Sequence, residues 1–267
     1  ARLGIISQKG LSEIIRTEIK SPLFKTLAII LILSAIVIGN TAYEAGNISG
    51  GVLGLETMVG NPSITMFGLN IKLLSVIIGA LAFVLLYIGN YKIIEKALVS
   101  LVILMSIAFL VTAITTKPNI AEILKGVFVP KFPKDSILTI IGLIGTTVVP
   151  YNLFLHASLV KEKWKNKNDL KFARKDTIIA VALGGLVSMC IIISAASIQT
   201  QDINNAADLA QGLEPLFGSF AKYFLAIGLF AAGITSAITA PLAAAFVASG
   251  CLGWSSNMIS RKFRAVW

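Results

Sequence analysis

A polytopic bundle of membrane-spanning α-helices is the fold class this sequence predicts, and three observations predict it. Hydrophobic residues make up 56% of the 267 and charged residues only 13%, against roughly 25% charged in soluble domains. Mean hydropathy is +0.85. Several apolar runs reach the ~20 residues that a helix needs to cross a ~30 Å hydrocarbon core. A membrane barrel would require short alternating strands, and none is predicted. The net charge of +10 could suit nucleic acid, but the basic residues sit between the apolar runs. The lipid bilayer is therefore the expected partner, and nucleic acid is not. Cys190 and Cys251 each fall inside an apolar run. They read as small packing residues rather than as a disulfide framework or a metal cluster.

Residues 1–25 carry Arg2, Lys9, Arg16, Lys20 and Lys25. They lack the basic, apolar and cleavage regions of a secretory leader, so no signal peptide is expected. Ser12 ahead of Ile14-Ile15 predicts a short amphipathic helix at the membrane surface. The first span starts near Pro22 and runs through Leu27–Ile38, then meets Gly39-Asn40-Thr41-Ala42-Tyr43-Glu44-Ala45-Gly46-Asn47, where one face turns polar. The second span is predicted from about Leu69 to Asn90 and the third from about Ala97 to Thr116. The fourth occupies the run from Ile137 to Val160. The fifth is predicted from about Thr177 to Ile198 and the sixth from about Phe217 to Leu252.

With six spans, alternate connections fall on the same side of the membrane. Five basic residues lie in 1–25, two in Tyr91–Lys96, seven in Lys161–Lys175 and three after Leu252, which makes 17 of the chain's 23 on one side. The acidic segment Asp202–Glu214 and the mixed loop Lys117–Asp135 fall on the other. The positive-inside rule then puts the start of the chain, the Lys161–Lys175 loop and the tail in the cytoplasm. Within that loop, the lysine run Lys161-Glu162-Lys163-Trp164-Lys165 reads as a solvated, lipid-facing topogenic segment, with contact to acidic lipid as the other reading.

The fourth span is interrupted by Gly145-Thr146-Thr147-Val148-Val149-Pro150-Tyr151-Asn152, leading into Leu153-Phe154-Leu155-His156. A proline here removes a backbone donor and crowds the preceding turn, so the helix should kink or open. Two readings are open. One is a packed kink; the other is a cavity where carbonyls, hydroxyls and the Asn152 amide are offered to a cation, since broken helices persist in lipid only where buried or lining a cavity. The break is expected to free a backbone carbonyl near Thr146. Glu44 is either an intramembrane carboxylate with a function or an inexpensive charge near the outer interface. His156, the single histidine, lies one turn beyond Asn152. It is either a satisfied interior residue or a group able to relay protons. No Walker loop, His-Glu-x-x-His, Gly-x-Ser-x-Gly or paired catalytic carboxylates occur, so no enzyme is expected.

Val149-Pro150-Tyr151-Asn152-Leu153-Phe154-Leu155-His156 resembles the Met-Pro-His-Asn-Leu-x-Leu-His signature on the sixth helix of the Nramp divalent-metal transporters. Thr239-Ala240-Pro241-Leu242-Ala243-Ala244-Ala245, followed by Gly250-Cys251-Leu252-Gly253-Trp254, resembles that family's eighth helix and its end. Ala1-Arg2-Leu3-Gly4 resembles the close of the second helix, and Ala42-Tyr43-Glu44 the acidic motif of the third. The resemblance implies an all-α polytopic protein, part of a LeuT-like inverted-repeat transporter fold, with about six complete helices corresponding to the third through eighth. The family's first-helix Asp-Pro-Gly-Asn break has no counterpart. Residues 1–267 are thus expected to form a single transmembrane domain truncated at both ends, holding half a site.

By the same resemblance, Asn152, a Thr146 carbonyl, Tyr151 and Val149 would line the metal site beside Pro150, and Glu44 and His156 would belong to the proton route. The expected function is import of divalent metal of the Mn²⁺/Fe²⁺ class across the plasma membrane by a secondary transporter, with the metal as substrate and no cofactor. Three departures bear on this. Val149 stands where the signature has methionine, Tyr151 where it has its first histidine, and Thr41 where the family has an aspartate. Thioethers favour soft ions and oxygen ligands favour Mg²⁺ and Mn²⁺. The alternative is therefore a Mg²⁺ or broad divalent-cation transporter without proton coupling.

Overall fold

The structure is a computed structural model that describes residues 1–60, 62–66, 68–89, 92–196 and 206–267. The predicted ends of the second and fifth spans, Asn90 and Ile198, and the beginning of the acidic segment at Asp202 lie outside the described residues.

Two short helices come first, α1 (Arg2–Ser7) and α2 (Leu11–Glu18). The amphipathic helix expected near Ser12 is α2, but Gly10 is its N-cap. Ser12 lies within the first turn and is buried, packed against Gly250. A single helical rod of 38 residues, Pro22–Val59, forms the first span. It comprises α3 (Pro22–Leu33), one π-helical turn at Ser34–Ile38, and α4 (Gly39–Val59). Pro22 opens α3 in its first turn, where a missing N–H costs nothing. The π turn widens the winding and so resets which face Asn40 and Tyr43 present.

Next comes a feature absent from the expected all-helical pattern. Strands β1 (Ser63–Met66) and β2 (Leu69–Lys72) pair antiparallel, Ser63 with Lys72 and Met66 with Leu69. Gly68 sits in the connecting turn at φ 77°, a conformation open to glycine at little cost. The second span therefore begins at Leu73, not Leu69. Helix α5 (Leu73–Ile88) has 16 residues, about 24 Å at 1.5 Å per residue, and ends at Gly89 in a left-handed C-cap.

Helix α6 (Lys92–Thr115) is the third span. The surface helix α7 (Ile120–Phe128) is capped by the Asn119 side chain, which accepts from the Ala121 and Glu122 amides. The fourth span divides into α8 (Ile137–Thr147) and α9 (Pro150–Lys163). Helix α10 (Leu170–Ala196) follows a capping box between Asn166 and Asp169. Short helices α11 (Ala206–Ala210) and α12 (Glu214–Phe217) lead to the 32-residue α13 (Ala221–Leu252), which carries Pro241 internally, and to α14 (Arg261–Arg264). Among the described residues, five helices are long and apolar enough to cross a membrane, and α5 is a shorter sixth apolar helix.

The chain divides into two compact units. One comprises Ala1–Gly46, Gly145–Val181 and Ser236–Trp267, and the other Asn47–Ile144 and Ala182–Thr235. The core of the first unit gathers Ile36, Val149, Tyr151, Leu155 and an alanine-rich stripe of α13 that includes Ala240, Ala243 and Ala244. Ile5, Val160 and Ala173 form a smaller cluster, where α1 meets α9 so closely that a side chain at Gly4 would strike the Ala157 carbonyl. In the second unit, Met105, Phe109, Cys190, Leu213 and Leu225 form the core. There Gly51 and Gly233 bring two helix backbones together, since a Cβ on Gly233 would lie 2.6 Å from the Gly51 nitrogen. Lipid tails are as apolar as the side chains, so such small-residue contact supplies van der Waals packing that the hydrophobic effect does not.

Candidate functional site

The apolar run Ile137–Val160 opens where its proline predicts. Val148 and Val149 leave the helix, Val149 adopting an extended backbone (φ −77°, ψ 124°), and Pro150 starts the next helix. Proline carries no N–H to return to the Thr146 carbonyl, and it is well placed only in a helix's first turn. The interruption is short. The backbone N–H of Asn152 re-forms a turn to the Val149 carbonyl at 3.1 Å.

Two residues of the first span meet the proline-bearing segments. The Tyr43 hydroxyl donates to the Gly145 carbonyl at 3.0 Å, in the last turn of α8. The Asn40 amide donates to the Ala240 carbonyl at 2.7 Å, at the peptide that precedes Pro241 in α13. Both donors lie just past the π turn, and such turns recur at functional sites. Asn40 is buried, and an amide in that position needs a partner within the protein.

Val149 and Tyr151 point into the apolar core with Ile36 and Ala240. Tyr43 and Tyr151 meet edge to face, with ring centroids 6.0 Å apart, the arrangement that aromatic quadrupoles prefer. Glu44 is half-buried, and its carboxylate is within electrostatic reach of the Tyr151 phenol. Thr146, Pro150 and Asn152 are exposed along the break. His156 is half-buried one turn further along α9. Its Nε2 lies 3.4 Å from the Thr177 hydroxyl of α10, and that hydroxyl also donates to the Ala173 carbonyl at 2.8 Å.

Among the described residues, no group of three or more His, Cys, Asp and Glu side chains is assembled to hold a metal. The donors at the break are amide, carbonyl, hydroxyl and phenol oxygens, the set suited to hard, hydrated divalent cations. Sequence reasoning did not single out Asn40, Tyr43 as a hydrogen-bond donor, or Thr177. Asn40 stood in the stretch where a face turns polar, but nothing in that stretch names a carbonyl 200 residues away.

A helix broken inside an apolar span, with oxygen donors at the break, is the architecture of membrane proteins that bind ions at mid-depth. The chain belongs to the Nramp family: the family model described as natural resistance-associated macrophage protein-like matches residues 1–267. Members of the family are transporters rather than enzymes. The chain is 30% identical to the divalent metal cation transporter MntH of Bradyrhizobium diazoefficiens, over 98% of this chain and 60% of the relative. It is likewise 30% identical to the metal transporter nramp1 homolog of Dictyostelium discoideum, over 98% of this chain and 50% of that protein. It is 27% identical to the MntH of Bacillus subtilis, over 98% and 62%. The chain thus spans about half to three-fifths of the length of the curated relatives it matches.

Proposed function

We propose that this chain is the part of a secondary transporter that carries divalent metal ions across the plasma membrane into the cytoplasm, with Mn²⁺ or Fe²⁺ as substrate. The observation that carries this reading is the opening between α8 and α9, which breaks a membrane span at Val148–Val149. Asn152 supplies a side-chain oxygen there, the Thr146 segment a backbone carbonyl, and Val149 and Tyr151 the wall. Glu44 and His156 belong to the route by which protons accompany the metal. The names of the curated relatives support the substrate class. A second reading has its own observation: Val149 offers no sulfur, so Mg²⁺, which keeps several waters and takes oxygen ligands, competes as substrate.

Asn152→Ala in the full-length protein tests the site. Mn²⁺ affinity, measured by isothermal titration, and uptake into proteoliposomes should both fall about tenfold, the loss of one charge-assisted contact of about 1.4 kcal/mol. The folded amount in the membrane should be unchanged. Uptake at the unsubstituted level would remove Asn152 from the site. The start of the chain and the Lys161–Lys175 loop are assigned to the cytoplasm by their basic residues. A cysteine introduced at Asn166 should resist an impermeant thiol reagent applied to intact cells, and ready labelling would reverse the orientation.

A further inference from the structure

The seven basic residues of the 161–175 loop divide into two groups. The three on the α9 side are all engaged. Lys161 lies 3.9 Å from Glu13, Lys163 is 3.2 Å from Asp176 and 4.3 Å from the centroid of the Trp164 ring, and Lys165 is 3.5 Å from Glu162. Lys167, Lys171, Arg174 and Lys175 form no ion pair among the described residues. All four are exposed.

Their placement is directional. On α10, Lys171, Arg174 and Ile178 follow the three- and four-residue spacing of one helix face, Lys175 flanks it, and Lys167 lies in the 3₁₀ turn just before the helix. The opposite face is the one that packs, with Ala173 fully buried beside Ile5 and Val160 and Thr177 turned to His156. Further along, the outward face becomes apolar and exposed, with Ile178 at 62% and Val181 at 70%. Lys167–Ala196 is apolar and long enough to cross a membrane, and Ile179 beside this face is exposed as well, at 57%, so α10 offers lipid an apolar surface directly beyond the cations. The cations lie at the end of that span, the level at which the hydrocarbon of a bilayer ends and phosphates begin.

Helix stability does not account for them. The first turn of α10 contains no acidic residue, and cations at a helix N-terminus oppose the macrodipole, whereas anions there are favoured. Phe172, 53% exposed, with the Lys171 ammonium 5.1 Å from its ring centroid, adds an aromatic at interface depth, where such rings are enriched.

We propose that Lys167, Lys171, Arg174 and Lys175 form a binding surface for the phosphate headgroups of anionic phospholipids in the leaflet they face. The cations hold the headgroups while Ile178 and Val181 lie along the acyl chains. Each cation near a lipid surface strengthens binding of anionic lipid about fivefold. The surface follows from the geometry of α10 whichever leaflet it occupies and whichever ion is carried.

Native mass spectrometry of the full-length protein in neutral detergent, titrated with phosphatidylglycerol or phosphatidylcholine, tests the proposal. The unsubstituted protein should retain phosphatidylglycerol in preference. Lys171→Gln/Arg174→Gln should weaken that retention about twentyfold, and adding Lys167→Gln and Lys175→Gln should remove the preference. Lys163→Gln/Lys165→Gln, which changes net charge equally but touches paired lysines, should weaken it less than twofold. Equal retention of the two lipids, unchanged binding in the Lys171/Arg174 variant, or equal losses in the two double variants would overturn the assignment. So would displacement of phosphatidylglycerol by millimolar inorganic phosphate, which would make the ligand a soluble anion. The Lys171/Arg174 variant keeps two of the four cations, so it gives a reading even where the fourfold variant inserts poorly.

Discussion

Pro150 and Pro241 are the same residue within the same compact unit, yet they have opposite effects. At Pro150 the helix stops, two valines leave it, and a new helix starts on the proline. At Pro241 the helix runs on without interruption from Ala221 to Leu252. Each proline removes one N–H and crowds the carbonyl four residues back, so the local chemistry is equal and the surroundings decide. The span Gly218–Leu252 is far more buried than Ile137–Lys163. Around Pro241, Ala240, Ala243 and Ala245 are wholly buried, and Asn40 holds the carbonyl just before the proline. Around Pro150, Val149 and Tyr151 are buried, but Ile144 and Val148 on the α8 side and Leu153 beyond are exposed, and Tyr43 holds the carbonyl of Gly145, on the far side of the gap. A proline thus opens a membrane helix where packing does not hold both halves in line, and Tyr43 and Asn40 act on opposite outcomes from one helix.

Substitutions at the two sites should separate these effects. Pro150→Ala restores the missing N–H and removes the clash, changes worth about 3 kcal/mol to a continuous helix. Uptake by the full-length protein should fall to background while its folded yield is kept; uptake at the original level would show that the open break is not needed for transport. Val149→Met alters the wall without closing it. The Mn²⁺ to Mg²⁺ affinity ratio should rise tenfold to thirtyfold, about 1.4 to 2 kcal/mol, as read by isothermal titration with both ions. A ratio that stays put would locate the filter elsewhere and remove the main support for magnesium. Asn40→Leu releases the Pro241 side. Interhelical hydrogen bonds in membranes contribute about 0.6 kcal/mol, rarely above ~1.7. The variant should therefore lose a few degrees of thermal stability, with α13 still continuous by hydrogen exchange. Loss of protection on both sides of Pro241 would mean that Asn40, rather than the alanine packing, keeps that helix whole.

Much of this architecture was legible in the residues. The apolar runs locate every long helix, because ~20 apolar residues in sequence have few other uses. The break is legible because a proline in mid-span leaves backbone groups that lipid cannot satisfy. The hairpin was misread, since Leu69 and Ile71 are apolar and merge into the run that begins at Leu73. Their period of two is visible only over four residues, too few to separate from a helix start. The amphipathic helix is legible from Ser12 and the Ile14-Ile15 pair, but its start is not: Gly10 takes the cap, and Ser12 lies inside the first turn against Gly250. The π turn at Ser34–Ile38 has no composition of its own. Tyr43 and Asn40 find partners 102 and 200 residues away, pairings that belong to tertiary packing and leave no local trace.

The contact between Thr177 and His156 limits what the imidazole can do. A threonine hydroxyl has one hydrogen, and here it is directed at the Ala173 carbonyl, 2.8 Å away. While it keeps that bond, Thr177 offers the ring, 3.4 Å off, only lone pairs, an arrangement that suits a hydrogen on Nε2; a hydroxyl turned towards the ring suits the other tautomer. In the first arrangement a proton that His156 accepts enters at Nδ1. Rotation of one threonine hydroxyl thus decides which ring nitrogen is open to a proton.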